Sequence, residues 1–198
     1  MKSAVIIDYG AGNIGSISNF LRNFDFWVEV SNDQKKIADS DLLVLPGVGS
    51  FGPAKSKLDT SGASDAIIKR VDIGGPTLGI CLGFQLMTRF SEEAEDVEGL
   101  GLIDATTKRL TGGPVIGWQY TTTNSILPEQ SNAYYFNHAY GVFGSPELEE
   151  VSFSNESLNI AYARTGNLIG TQFHPEKSQQ AGFDFFSDIV NPFWKEIS

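Results

Sequence analysis

The sequence is short of basic residues, of histidine and above all of cysteine. Its 198 residues include 14 lysines and arginines against 24 aspartates and glutamates, which leaves a formal net charge of -10 at pH 7. Because non-specific affinity for nucleic acids and anionic lipids comes from clustered basic side chains, this charge argues against nucleic-acid and membrane-surface partners. No apolar run approaches the roughly 20 residues that a membrane-spanning helix needs.

The chain has one cysteine, Cys81, and two histidines, His138 and His174. A single cysteine cannot form an internal disulfide, so we expect a reducing compartment, the cytoplasm. The first residues, MKSAVIID, reach Asp8 before the apolar core of a signal peptide could develop, so no secretory signal is expected. Without metal-ligand spacing among the cysteine and histidines, the sequence predicts no zinc site and no bound cofactor.

What is present is the patterning of an α/β protein. Hydrophobic residues make up 41% of the chain, and short apolar runs alternate with helix-compatible segments through its first half. The runs predict strands over 3–8, 26–30, 41–46 and 76–80, and helices over 14–24, 54–71 and 81–90. This alternation predicts a mostly parallel central sheet with helices on both faces.

Shorter β-rich segments follow residue 100, separated by glycine, proline, asparagine or serine. They predict antiparallel strands added to the sheet, including a hairpin in ARTGNLIG with Gly166 and Asn167 at its turn. A last helix is predicted at about 178–190. No repeat, low-complexity tract or linker interrupts the chain, so we expect one domain spanning residues 1–198.

The cysteine stands in the segment GICLGFQ, after a predicted strand and before a predicted helix. Gly79 and Gly83 allow a sharp turn with close backbone approach, as in the nucleophile elbow of hydrolases. Ligands of parallel α/β sheets collect at the carboxyl ends of strands, and a helix N-terminus there favours the thiolate. We therefore interpret Cys81 as a nucleophile, the alternative being a small buried core residue.

A histidine and an acid able to activate this thiol stand together in the segment FHPEKS. Pro175 biases His174 toward an extended conformation, in which residues i and i+2 point the same way. His174 and Glu176 can then serve as base and orienting carboxylate, unless they simply end a surface strand. His138, in YYFNHAY, has no following acid; we expect a hydrogen-bonded strand residue that can line the substrate pocket.

These segments resemble the class I (triad) glutamine amidotransferases, through GICLGFQ and FHPE. Within that family the chain is most similar to the glutaminase subunits of imidazole glycerol phosphate synthases, through DYGAGNIGSI, LPGVGSFGPA, IGWQ, YYFNHAY and FHPEKSQ. The resemblance implies hydrolysis of L-glutamine to glutamate and ammonia, without a cofactor. It also implies a synthase partner, expected to be a (β/α)₈ barrel that forms a heterodimer with the chain and uses the ammonia in histidine biosynthesis.

The resemblance also assigns roles around the active site. Cys81 would attack the carboxamide carbon, with His174 and Glu176 completing the triad. The Leu82 N–H and the Val48–Gly49 peptide would stabilise the oxyanion, although PGVG could be a plain turn.

Substrate contacts and partner contacts follow from the same resemblance. The residues expected to contact glutamine are Gln85, Glu93, His138 and Tyr140. For Glu93 a solvated acidic loop is the competing interpretation. Lys177 and Trp118 would face the synthase, unless they are a solvated lysine and a core tryptophan.

The segment GAGNIG formally meets a dinucleotide-binding spacing, with Gly10, Gly12 and Gly15. The second strand offers no acidic residue in the right register beyond Glu29, and the chain leaves no room for a separate substrate domain. We interpret this segment as a glycine-rich tight turn beside the active site.

Several positions depart from the pattern of the histidine-pathway subunits: Gln119 replaces a usual Asn, Val115 a usual His and Ala139 a hydroxyl residue, while Gly15–Ser16 lacks a common basic residue. They leave open a paralogous glutaminase that feeds an amidine-forming synthase of surface-sugar biosynthesis. A stand-alone cysteine hydrolase and a non-catalytic interaction module are less compatible with the sequence, because Gln85 argues against the first and the intact triad against the second.

Overall fold

The computed structural model describes residues 2–10, 12–123, 133–144, 150–154 and 159–190. Its helices are α1 (Ile14–Arg22), α2 (Gln34–Asp39), α3 (Phe51–Ser61), α4 (Ala63–Asp72), α5 (Leu82–Leu86) and α6 (Gln179–Phe185), with a 3₁₀ turn at Pro175–Lys177 and a π-helical turn at Phe186–Val190. Its strands are β1 (Lys2–Ile6), β2 (Phe26–Val30), β3 (Leu42–Leu45), β4 (Thr77–Ile80), β5 (Phe90–Ser91), β6 (Thr106–Arg109), β7 (Val115–Gln119), β8 (Thr121–Thr123), β9 (Tyr134–His138), β10 (Tyr140–Phe143), β11 (Glu150–Ser154), β12 (Ile160–Thr165) and β13 (Leu168–Thr171).

One large sheet organises the described residues, in the order β2-β1-β3-β4-β13-β12-β10-β6-β5. Neighbours from β2 to β13 are parallel, and β12 then pairs antiparallel with β13 and with β10. β11 and β8 extend from β12, while β7 and β9 form a separate antiparallel ribbon. The predicted mostly parallel sheet with added antiparallel strands is confirmed.

Helices cover both faces of the parallel part. In β1, Ala4 and Ile6 pack on the side of α1 and α6, whereas Val5 and Ile7 pack on the side of α2 to α5. Because successive side chains of a strand point to opposite faces, strands covered on both sides must be apolar throughout, as β3 is. No helix among the described residues is long and apolar enough to cross a bilayer.

Two predicted helices need correction, and one helix was not predicted. The helix predicted over 54–71 is two helices, which meet at Gly62 with φ +73°. The helix predicted over 81–90 ends at Leu86, and α2 was not predicted. The hairpin is confirmed, with Thr165 opposite Leu168 across the turn.

The topology brings two distant parts of the chain to the same edge of the sheet. β13 is the neighbour of β4, with Thr171 in register with Ile80, and the Cys81 N–H donates to the Thr171 carbonyl at 2.6 Å. Since the two strands are parallel, the residues that follow them, Cys81 and His174, emerge at the same carboxyl edge.

Candidate active site

Cys81 occupies a strained turn between β4 and α5. Its φ of +47° and ψ of −102° lie in a region that L-residues rarely adopt, and such strain is concentrated at functional sites. A Cβ on Gly83 would stand 2.0 Å from the Leu45 carbonyl oxygen, and one on Gly79 would stand 2.8 Å from the Phe84 nitrogen. The predicted elbow, with glycines required by close backbone approach, is confirmed.

The sulfur is buried and has two polar neighbours. The Gln172 side-chain amide donates to Sγ at 3.4 Å, and the Asn137 carbonyl lies 3.8 Å from it. Gln172 was not predicted from the sequence, although its place two residues before His174 would have put both side chains on one side of an extended segment.

His174 and Glu176 are in direct contact, with 2.8 Å between Nδ1 and Oε1. Both side chains are almost completely inaccessible. The prediction of an extended segment was wrong, because His174 is extended but Pro175–Lys177 forms a 3₁₀ turn. The expected contact is nevertheless made, across this turn. Because the carboxylate can only accept, Nδ1 carries the proton and Nε2 is the nitrogen left for the cysteine.

Nε2 of His174 makes no hydrogen bond of good geometry with the described residues, but Cys81 influences the ring electrostatically. Burial lowers the pKa of His174, whereas the adjacent Cys81 and Glu176 raise it more strongly, to about 10. The imidazole is therefore protonated at neutral pH.

A cavity of about 310 Å³ opens beside the sulfur. This volume lies at the small end of ligand pockets and suits a molecule of amino-acid size. The lining includes each residue that was predicted to stabilise the oxyanion or to contact glutamine; the full set is Gly47, Val48, Gly49, Cys81, Leu82, Gln85, Glu93, Pro114, Asn137, His138, Ala139 and Tyr140. The sequence did not predict that Pro114 and Asn137 line the cavity.

Hydrogen bonds hold the polar lining residues in place. The Gln85 side-chain amide donates to the Tyr140 carbonyl at 2.7 Å and to Gln172 Oε1 at 3.4 Å. Glu93 Oε2 accepts from the Phe51 N–H at 3.2 Å. Both hydrogen bonds of the Gln85 side chain use its nitrogen, so its oxygen can bind a ligand. The hydrogen bond of Glu93 uses one carboxylate oxygen, so the other oxygen can bind a ligand.

His138 differs from His174 in its protonation state. Its Nδ1 lies 2.9 Å from the Tyr140 carbonyl, which fixes the proton on Nδ1 and leaves Nε2 as an unprotonated acceptor. Burial, and to a lesser extent the nearby His174, lowers the pKa of His138 to about 4 against the opposing hydrogen bond to the Tyr140 carbonyl. The ring is neutral at physiological pH and can accept a hydrogen bond from a ligand.

The PGVG segment, residues 46–49, lies against the elbow. The Leu82 N–H points to the Gly47 carbonyl at 3.5 Å, longer than a normal hydrogen bond. Tyr9 donates its hydroxyl hydrogen to the Pro46 carbonyl; burial raises the pKa of this phenol, so the proton is retained. One predicted oxyanion donor therefore faces a carbonyl in this structure.

The two residues predicted to face a partner lie outside the cavity and flank one ring. The Trp118 side chain is 48% exposed and contacts Tyr135 edge-on, with ring centroids 6.0 Å apart. The Lys177 ammonium lies 5.6 Å from the Tyr135 ring centroid. Trp118 is thus an exposed strand residue rather than a core residue.

A further contact to the acid was not predicted. The Asn13 side-chain amide donates to Glu176 Oε1 at 2.7 Å, which places the glycine-rich turn before α1 next to the active site, as expected. The fold brings the Cys81 thiol, the His174 imidazole and the Glu176 carboxylate together, with a cavity beside the sulfur. Such an arrangement can perform acyl transfer through a covalent thioester.

Comparison with known proteins agrees with this chemistry. The family model described as glutamine amidotransferase class-I matches residues 5–188. The imidazole glycerol phosphate synthase subunit HisH of Symbiobacterium thermophilum is 39% identical over 202 residues, covering 92% of this chain and 90% of that protein. The chloroplastic imidazole glycerol phosphate synthase hisHF of Arabidopsis thaliana is 37% identical over 94% of this chain, which spans 34% of that longer protein.

Solved structures show the same fold at lower identity. PurLQS from Thermotoga maritima superposes with a TM-score of 0.74 at 20% identity, covering 96% of this chain and 98% of that one. A putative GMP synthase component from Thermoplasma acidophilum superposes with a TM-score of 0.73 at 21% identity, covering 100% of this chain and 97% of that one. The chain is a member of the class I glutamine amidotransferase family.

Proposed function

We propose that this chain is the glutaminase subunit of an imidazole glycerol phosphate synthase. It hydrolyses L-glutamine to glutamate and ammonia, and a synthase partner uses the ammonia in histidine biosynthesis. The observation that carries the proposal is the strained Cys81 beside the His174–Glu176 pair, facing a cavity of amino-acid size. Relatives named as HisH subunits, 39% and 37% identical over most of the chain, support the pathway. The single free thiol, which must stay reduced to act, supports a cytoplasmic setting.

The reaction follows from the protonation states. The Cys81 thiolate attacks the carboxamide carbon of glutamine, and the resulting tetrahedral oxyanion collapses with cleavage of the C–N bond. The His174 imidazolium gives its proton to the leaving nitrogen, so ammonia departs and a thioester remains. Neutral His174 then takes a proton from water, whose oxygen attacks the thioester, and glutamate and the thiolate are released. Glu176 keeps Nδ1 protonated throughout.

The cavity offers groups for the other end of the substrate. The free oxygen of Glu93 suits the α-ammonium group, and Oε1 of Gln85 can accept from the same group or from the carboxamide. His138 Nε2, an unprotonated acceptor, suits the carboxamide N–H₂. The Tyr140 carbonyl acts indirectly, because it fixes the side chains of both Gln85 and His138.

The oxyanion requires a rearrangement of the PGVG segment. Leu82 N–H is directed to the Gly47 carbonyl, a dipole of the wrong sign for an oxyanion. Gly49 has φ +134°, a region open to glycine, so the Val48–Gly49 peptide can rotate at low cost. We therefore propose that the isolated chain rests in a low-activity state, and that the partner shifts the segment so that both N–H groups face the oxyanion.

The surface around Tyr135 provides the partner contact in this proposal. On the same outer side of β7, Ile116, Trp118 and Tyr120 are 70%, 48% and 55% exposed, and Lys177 lies beyond Tyr135. An exposed aromatic and aliphatic row next to a catalytic cavity is typical of an interface. A (β/α)₈ synthase seated here would receive ammonia close to its source. The Arabidopsis relative, of which this chain spans 34%, has room for such a second domain.

Val115 and Gln119 are buried residues of β7 whose side chains alternate with the exposed Ile116 and Trp118, and Ala139 lines the cavity. These departures from the sequence pattern therefore do not belong to the exposed row, and the identity of the synthase is a separate question from glutamine hydrolysis. The acceptor is therefore tested separately, by supplying the histidine-pathway synthase with its acceptor and assaying formation of imidazole glycerol phosphate.

The central experiment measures steady-state glutamine hydrolysis by the wild-type chain and by Cys81→Ser, His174→Ala and His138→Ala, each with the synthase present. We expect Cys81→Ser and His174→Ala to lose activity. Cys81→Ser should keep nearly the same thermal stability, whereas His174→Ala should lower it, because the buried Glu176 carboxylate loses its imidazole partner. His138→Ala should mainly raise KM, because it is neutral and binds substrate. Near-normal activity of Cys81→Ser, or an equal collapse of kcat at both histidines with unchanged KM, would overturn the assignment.

A further inference from the structure

Asn13 stands at the N-cap of α1 but does not cap the helix. Asparagine is among the preferred N-cap residues, because its side-chain oxygen accepts from a free N–H of the first turn. In α1 the Asn13 side chain makes no such bond. Its amide nitrogen is instead 2.7 Å from Glu176 Oε1, across 163 residues of sequence. The Asn13 side chain therefore donates a hydrogen bond to Glu176 instead of capping its own helix.

The acid that it contacts has few other partners. The Glu176 side chain is fully inaccessible, and Oε1 accepts from both His174 Nδ1 and Asn13 Nδ2. Oε2 has no hydrogen-bond partner among the described residues. Burying a polar group is costly unless hydrogen bonds satisfy it, and Asn13 supplies one of the two hydrogen bonds that hold this group in place.

We propose that Asn13 is a positioning residue of the active site, which holds the Glu176 carboxylate in the orientation that supports His174. This rests on the proposed glutaminase function for its catalytic consequence, but the geometry stands independently of the substrate. Without the Asn13 amide, the carboxylate would lose one of its two hydrogen bonds and would be free to rotate away from Nδ1. His174 would then lose the contact that, after Cys81, raises its pKa.

Two substitutions separate this role from helix capping. Asn13→Ser places a good N-cap residue that is too short to reach Glu176, and Asn13→Asp places a good N-cap residue that cannot donate and repels the carboxylate. Asn19→Ser is the matched control, because Asn19 is an exposed residue of the same helix. Its side-chain oxygen accepts from Arg22, and its backbone carbonyl accepts from Asn23. Asn19→Ser should keep nearly the wild-type melting temperature, whereas both Asn13 variants should fold with a lower one, because the buried Glu176 carboxylate loses a hydrogen bond.

The decisive readout is the titration of the two histidines by NMR, after selective isotope labelling of histidine. The groups that act on His174 are Cys81, Glu176 and His138, and none of them is altered in these variants. We expect Asn13→Ser and Asn13→Asp to move the deprotonation of His174 to lower pH, while His138 stays unchanged. In glutamine hydrolysis both should lower kcat by about 10- to 100-fold, the usual effect of losing a hydrogen bond to a charged group, with little change in KM.

The outcomes distinguish this inference from the proposed function. If His174 titrates as in the wild type, or at higher pH, in a folded Asn13→Ser variant, Asn13 does not position Glu176. If the titration moves but the wild-type chain with its synthase hydrolyses no glutamine, the positioning role stands and the proposed substrate is wrong. Equal losses of kcat in Asn13→Ser and Asn19→Ser would show a general effect of α1 and would overturn the inference.

Discussion

Acidification should destabilise this protein through a single buried imidazole, His138. In the folded chain its Nδ1–H is committed to the Tyr140 carbonyl, and Nε2 is buried without a partner among the described residues. Protonation would place a charge on Nε2, in a buried site near the already protonated His174. Burial first, and His174 second, therefore lower the pKa of His138 to about 4.

The magnitude follows from the difference between this value and the ordinary histidine pKa of about 6.5. Between these two values the unfolded chain binds the proton and the folded chain does not, so stability rises with pH in this window and is lost as pH falls. Each pKa step is equivalent to about 1.4 kcal/mol, which gives about 3 kcal/mol below pH 4 and about 2 kcal/mol near pH 5. His174 has the opposite sign: its raised pKa stabilises the fold fully below about 6.5 and loses that effect as pH rises toward 10.

Urea unfolding near pH 8 and near pH 5 measures the effect in the wild type and in His138→Asn, whose amide can still donate to the Tyr140 carbonyl. Other titrating groups act on both proteins alike, so their difference isolates His138. The wild type should lose about 2 kcal/mol more than the variant on acidification. Equal losses in the two proteins would refute the reasoning that His138 is neutral because it is buried.

Three further predictions concern the elbow, the partner surface and activation. Gly83→Ala should lower the free energy of unfolding, measured by urea titration, by about 1–3 kcal/mol and abolish activity, because its Cβ would stand 2.0 Å from the Leu45 carbonyl oxygen. Gly15→Ala is the control: Gly15 has open space around it, so this variant should be neutral or slightly stabilising in the same titration. Lys177→Glu should weaken assembly in a binding titration with the synthase while leaving the folded stability unchanged, and an unchanged Kd would remove Lys177 from the interface. Glutamine hydrolysis by the chain alone should be lower than in the complex with acceptor ligand by about 10²–10³-fold, the effect of one missing oxyanion donor, and full activity in isolation would eliminate the proposed rearrangement.

The parts of the site that the sequence predicts are those made within a few residues. GICLGFQ carries its own strand, turn glycines and helix, so the elbow around Cys81 is encoded locally. FHPE places an imidazole and a carboxylate so close together that they meet even though Pro175–Lys177 forms a 3₁₀ turn instead of an extended segment. Whether a segment forms a helix or a strand is also determined largely by its own residues. The exception is α2, which buries only Ile37 and so has too little hydrophobic periodicity to be recognised from the sequence.

The contacts that escaped prediction join residues far apart in sequence. Asn13 meets Glu176 because α1 and the 3₁₀ turn lie on the same side of the sheet, and no pattern around either residue encodes that. The Asn13 side chain, by local rules, should cap its helix. Gln172 meets Cys81 because β13 neighbours β4, a pairing that depends on strand order and not on spacing. Tertiary topology decides such contacts.

The place of β13 in the sheet also bears on when the proposed active site can form during synthesis. β13 inserts between β4 and β12, and Gln172 lies 91 residues after Cys81. While the chain emerges from the ribosome, β4 remains an open edge strand and the cysteine has neither imidazole nor amide beside it. Closing such a long loop is slow, so the central strand pairs late in folding. A nascent or truncated chain would therefore expose an unpaired β-edge. Its Cys81 thiol would lack the neighbouring groups that the proposed mechanism requires until folding is complete.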